Sequence, residues 1–172
     1  MLPLTEKQIH DSFINASRKE VSDLALPVDF DETDWDRLDF LGWRDRRSPR
    51  RAYFVVRLDD TPVGVLLQQA QSAPRIRAQC SWCQAVNLTN EVVFYGAKRS
   101  GRSGRKGDTI GTLICANFGC SANVRKRPPV AYIGFDVEAA RQKRIASLHE
   151  RAQGFAREVL GDDTPDVAGA ED

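Results

Sequence analysis

Residues 80–120 read CSWCQAVNLTNEVVFYGAKRSGRSGRKGDTIGTLICANFGC, and all four cysteines of the 172-residue chain lie within them. They form two close pairs, Cys80-x-x-Cys83 and Cys115-x-x-x-x-Cys120, with 31 residues between the pairs. Thiolates are soft ligands, and a set of four suits tetrahedral zinc. A two-residue gap lets both sulfurs of a tight turn point at one ion. The second pair, on a short turn leading into a helix, closes the tetrahedron. Between the pairs, VVFYGAK (92–98) and TIGTLIC (109–115) read as the strands of a hairpin that folds one pair back onto the other. Knuckle, hairpin and helix-start ligands, in that order, make a treble clef. Two disulfides fit poorly with a cytosolic chain. A redox Cys-x-x-Cys requires a βαβ setting, whereas Cys80 precedes a hairpin. Four sulfurs leave no open coordination position, so the expected Zn2+ is structural, contributing on the order of 10 kcal/mol to folding.

Outward from this stretch, AYFVVRL (52–58) and VGVLLQQ (63–69) read as an earlier antiparallel hairpin, with turn chemistry in the DDTP between them. Residues 4–24 read as one helix. Thr5 and Gln8 form a capping box, Leu4 and Ile9 a hydrophobic staple, and Pro27 follows the end. Residues 28–51 read as irregular, with Trp35, Leu38, Phe40, Leu41 and Trp43 as core filler and an Arg-rich patch after them. AYIGF (131–135) reads as one further strand. Asp136 then caps a long helix over 137–160, on which Ile145, Leu148, Ala152, Phe155 and Val159 make one apolar stripe. The tail, 161–172, reads as disordered and acidic.

Composition excludes several classes. At 41% hydrophobic and 28% charged residues the chain reads as soluble and globular. No apolar run reaches the ~18–20 residues of a membrane span, and MLPLTEKQIH has no signal-peptide core. A cytoplasmic protein is expected, with no membrane partner, and a monomer is the simplest state. The net charge of +1 hides segregation. Residues 29–39 hold six acids against one base, while residues 75–127 hold ten bases against two acids.

Enzyme readings find little support. His10 and His149 both sit on helices without a nucleophile beside them. Gly101, Gly104 and Gly107 lie in a basic hairpin connection, read as mobile, and do not form a phosphate loop before a helix. Binding remains. Lys98, Arg99, Arg102, Arg105 and Lys106 share that connection, and Arg125, Lys126 and Arg127 follow the last cysteine. Trp82, Phe94, Tyr95 and Phe118 lie close to the ligands in sequence, and strand alternation must bury one of Phe94 and Tyr95. Cations beside aromatics suit RNA, through phosphate pairing and base stacking. They equally suit an acidic protein surface.

CSWC, VVFYGAK, the basic connection, TLICANFGC and RKRPPVAYIGF together resemble the C-terminal treble-clef zinc finger of the elongation factor G-binding proteins, the FusB-type family. The resemblance spans about residues 75–135. It implies that Cys80, Cys83, Cys115 and Cys120 hold Zn2+. It also implies that the finger is the surface for translation elongation factor G, and that binding favours release of the factor from the ribosome. By position it points to Trp82, Tyr95, Lys98 and Tyr132 as partner-binding residues, with Arg99 and Arg102 beside them. Family members relieve fusidic acid stalling in this way, and they carry an N-terminal helical bundle. Residues 1–70 here read instead as a helix and a hairpin, a shorter single-unit version.

The expected fold is therefore α+β: an N-terminal helix and β-hairpin (1–74), a treble-clef zinc finger (75–135), a C-terminal long helix (136–160) packed on the same unit, and the acidic tail. The expected function is non-enzymatic binding of elongation factor G. A zinc-finger protein that binds RNA or the ribosome is the alternative.

Overall fold

Strand β2 (Arg51–Leu58) is buried continuously from Ala52 to Val56, so it must be covered on both faces. Alternation sends Ala52, Phe54 and Val56 to one face, and Tyr53 and Val55 to the other. A computed structural model describing residues 1–71, 78–85, 91–130 and 132–161 shows what covers each. Five antiparallel strands lie in the order β1–β2–β3–β4–β5: β1 (Leu41–Arg44), β2, β3 (Thr61–Gln69), β4 (Val92–Lys98) and β5 (Thr109–Cys115). Over one face lies the long helix α5 (Val137–Leu160), whose Leu148, Ala152, Phe155 and Val159 are buried with Phe54, Val65 and Ile114. Over the other lies the N-terminal segment, where Leu4, Ile9 and Leu24 pack with Leu41, Trp43 and Tyr53.

Both expected hairpins are present. They share one sheet, because Gln68 pairs with Gly96 and Gln69 with Tyr95 across β3 and β4. The boundary expected at 74/75 and the acidic tail from residue 162 lie outside the described residues. Helix α5 starts where the sequence places it: the Asp136 carboxylate accepts the Ala139 N–H at 2.9 Å. Among the described residues no helix is long and apolar enough to cross a membrane.

Three local expectations are corrected. Residues 4–24 form two short helices, α1 (Glu6–Asp11) and α2 (Arg18–Ser22). Between them Phe13 makes a parallel bridge to Gly64 of β3. The Ile14 N–H meets the Gly64 carbonyl at 3.0 Å, and the Gly64 N–H meets the Ser12 carbonyl at 2.9 Å. The Asn15 side chain donates to the carbonyls of Leu66 and Lys98 and accepts the Leu66 N–H. Pairing with the sheet thus replaces helix propagation, and Ser17 opens α2 with its own capping box to Glu20. Glycine suits position 64, since a Cβ there would lie 2.5 Å from Ser12 Oγ and 3.1 Å from the Phe13 ring, and both would have to shift.

The second correction concerns residues 28–51. They contain strand β1 and two single-turn 3-10 helices, Phe30–Glu32 and Trp35–Arg37. Third, the described residues of 131–135 form a turn, with the Phe135 N–H on the Tyr132 carbonyl at 3.2 Å. Gly134 has φ 86°, a left-handed conformation that a strand does not use. The basic connection 99–108 also gains order, as α3 (Gly101–Arg105).

Candidate metal centre and the surface around it

The four cysteines arrive from three places. Cys80 and Cys83 sit on the turn before β4, Cys115 ends β5, and Cys120 begins α4 (Cys120–Arg125). The turn is closed by the Gln84 N–H on the Cys80 carbonyl at 3.0 Å. The Ser81 N–H ties it to β5 at the Leu113 carbonyl, 2.7 Å. Before Cys120 the chain reverses through Phe118, at φ 58°.

All four sulfurs are buried and lie within 4.8 Å of one another. Cys80 Sγ is 3.6 Å from Cys120 Sγ, and Cys83 Sγ is 3.7 Å from Cys115 Sγ. A tetrahedron with Zn–S bonds of about 2.3 Å has S···S edges of about 3.8 Å. The separations match that edge and far exceed a disulfide bond. Donors support the sulfurs: the Cys83 N–H points at Cys80 Sγ (3.4 Å), and Asn123 Nδ2 points at Cys115 Sγ (3.6 Å) and Cys83 Sγ (3.8 Å).

Hydrogen bonds from Cys115 and Cys120 lower the Cys80 thiol to about 7 and lower Cys83 further. Cys120 is raised by its bonds to Cys115, Cys80 and Cys83 and by burial. Cys115 is raised as well, its bond to Cys120 opposing while Cys80 and Cys83 prevail. Hydrogen bonding among the four sulfurs thus favours thiolate within the set, and a bound ion would displace the remaining protons. These residues fit zinc, and four sulfur ligands close its shell. A bound ion would hold the fold and, with its shell closed by these four sulfurs, would offer no position to a substrate.

Asn123 was not identified from the sequence. Its only signal is a polar residue three positions after Cys120, on the helix face that looks back at the sulfurs. A second structural contact fixes α4 to the N-terminal segment. Asp39, buried, receives Arg125 Nη1 at 2.5 Å and Nη2 at 3.3 Å, and its N–H reaches Ser121 Oγ at 3.0 Å.

The expected partner-binding residues divide in two. Trp82 and Tyr95 are core residues, and the expectation that they meet a partner is corrected by their burial. The Trp82 ring packs on Phe54 (4.9 Å), Phe40 (5.1 Å) and Phe155 (5.7 Å). Tyr95 lies against Phe118 and its hydroxyl donates to the Ala116 carbonyl at 3.3 Å. Strand alternation turns Phe94 outward in its place, 44% exposed, with its ring over Gly111. A Cβ at 111 would lie 2.2 Å from that ring. Lys98 and Arg102 are exposed, and Arg99 is half-buried with its guanidinium on the Glu158 carbonyl. Tyr132 is 65% exposed and Ile133 fully so, with Val130 exposed beside them.

The model of the FBP C-terminal treble-clef zinc finger matches residues 8–159 of this sequence. The chain belongs to that family. The match runs beyond 75–135 and takes in the first hairpin and α5, in keeping with the single sheet. The solved structure of the fusidic acid resistance protein FusC is similar, with a TM-score of 0.53 and 20% identity over 72% of this chain and 53% of that chain. At that identity the likeness is one of fold. This FBP-type chain spans about half the length of the FusC chain. No curated protein matches it by sequence.

Proposed function

We propose that this protein is a non-enzymatic, cytoplasmic binder of translation elongation factor G that favours release of the factor from the ribosome. Family membership supports the reading, and one observation carries it to a particular surface. On a zinc-held finger, the loop around Val130, Tyr132 and Ile133 leaves large apolar side chains in water, flanked by exposed Lys126 and Arg127. Aromatic and aliphatic anchors rimmed by cations suit a protein surface carrying carboxylates. Phe94, Lys98, Arg99 and Arg102 extend the same chemistry along the outer side of the β4–β5 hairpin. Fusidic acid resistance and a housekeeping role in translation are both consistent with such a binder.

The test is titration of purified elongation factor G with zinc-loaded, nuclease-treated protein, followed by the rate at which the factor leaves ribosomes stalled by fusidic acid. A complex without nucleic acid and a faster departure are expected. Absence of a complex would overturn the reading. A second reading, binding to ribosomal RNA, is favoured by Lys98, Arg102, Arg105 and Lys106, which join no ion pair among the described residues. It predicts affinity that falls steeply with salt, with a slope near 0.7–0.9 per phosphate neutralised.

A further inference from the structure

β1 is the outermost strand, at the end of the sheet away from the finger hairpin. It pairs with β2 in the register Leu41/Val55, Gly42/Phe54, Trp43/Tyr53 and Arg44/Ala52. The next position is closed by the Asp45 N–H on the Arg51 carbonyl at 2.9 Å. Hydrogen-bonded pairs alternate along an antiparallel ladder. Leu41 and Trp43 therefore direct their backbone groups to β2, and the N–H and C=O of Gly42 and Arg44 point away from the sheet. Among the described residues, neither backbone makes a hydrogen bond beyond that ladder.

Free edges are usually blunted by charge or covered by another element. This one is recessed. It forms the floor of a groove of about 1030 Å³. The segment after Pro27 makes one wall, with Asp29, Glu32 and Leu38; α4 and the first turns of α5 make the other, with Lys126 and Ile145. Leu38 and Ile145 are only partly buried, so each wall offers apolar surface. Asp29 and Glu32 are exposed carboxylates outside every ion pair among the described residues. Across the groove, Arg125 and Arg141 are neutralised by Asp39 and Glu138, while exposed Lys126 on that wall joins no ion pair among the described residues.

We propose that this groove takes an extended peptide segment of a partner protein, which adds to β1 as a further strand. The unsatisfied groups of Gly42 and Arg44 recur every second residue, about 6.8 Å apart, the repeat of an extended main chain. A second copy offering its own β1 would have to bring the two walls of its own groove with it. A slender peptide can enter. Its alternate side chains meet Leu38 on one side and Ile145 on the other, and a Lys or Arg on the first side meets Asp29 and Glu32. Nothing in this groove depends on elongation factor G being the partner.

The test pans a random peptide library against the zinc-loaded full chain and makes one selected peptide synthetically. On binding, amide exchange should slow at Gly42 and Arg44. Methylating every second peptide nitrogen should abolish binding in one phase and leave it within a few fold in the other. Arg44→Pro removes an outward N–H while keeping strand geometry, and should weaken binding about tenfold, more than Arg44→Ala does. Asp29→Lys combined with Glu32→Lys should weaken it without altering zinc content. A library that yields no binder, peptides that protect other amides, or equal tolerance of both methylation phases overturns the proposal. So does protection of Gly42 and Arg44 that rises with protein concentration in the absence of peptide, because a second copy would then be the occupant.

Discussion

The two hairpins of this sheet are held by different means. β2–β3 is stabilised from both sides by side chains: Phe54, Val56 and Val65 face α5, while Tyr53 and Val55 face the N-terminal segment. β4–β5 buries Val93, Tyr95 and Ile114 on one face only, and its outer face leaves Phe94 and Lys98 in water. Its closure comes from four sulfurs at one end. A metal centre thus substitutes for a second packed layer, and that substitution leaves one surface of the finger exposed.

The largest expected effect breaks that substitution. Removal of the ion by a chelator should cost on the order of 10 kcal/mol for the finger, and Cys120→Ser should cost a large share of it. Calorimetric unfolding with metal analysis will report it. Trp82 joins the knuckle to Phe40, Phe54 and Phe155, so the loss should also lower the melting temperature of the first hairpin and α5. Independent melting of the two hairpins would contradict the single-sheet account.

Phe54→Ala attacks the other side of the comparison and should cost ~3–5 kcal/mol in denaturant unfolding while zinc stoichiometry holds. Asn123→Ala removes only the amide donor to Cys83 and Cys115. A zinc-competition titration should show affinity lower by about 10–100-fold with the fold retained. An unchanged affinity would show that Asn123 packs without tuning the site.

The smallest effect lies in the turn between β1 and β2. Burial and the bond to Asp45 push the Tyr53 hydroxyl up to about 12. Burial opposes, but the Tyr53 hydroxyl and the N–H groups of Arg47 and Ser48 hold the Asp45 carboxylate below its ordinary range. The Asp45 contribution is present above an unfolded pKa of about 3.9 and is lost as pH falls through the lower folded value. The Tyr53 contribution is present below about 10 and is lost as pH rises towards 12. Tyr53→Phe should cost about 1 kcal/mol at neutral pH and flatten the alkaline limb of a stability–pH curve. A curve that keeps its alkaline limb would place that limb elsewhere.

The metal side of the comparison was the more legible in the sequence. Cysteine spacing is a local pattern with one dominant chemical meaning, and Asp136 announces α5 as plainly. The break at Phe13 was hidden because its cause is Gly64, about fifty residues away, whose missing side chain admits the chain to the sheet. Strand β1 is four residues long and carries no clear alternation signal. Trp82 and Tyr95 read as binding aromatics because sequence proximity to ligands does not reveal direction. Alternation did require one of Phe94 and Tyr95 to be buried, and the packing of Phe118 decides for Tyr95.

The central claim is that the zinc-held finger presents its exposed apolar loop to elongation factor G. Its most direct test is a calorimetric titration of nuclease-free elongation factor G with the double variant Tyr132→Ser, Ile133→Ser, alongside the parent protein. The account predicts that the variant keeps its zinc and its melting temperature and loses binding by roughly a hundredfold or more, as for loss of a hot spot. Binding equal to the parent's, with the same zinc content, would contradict it.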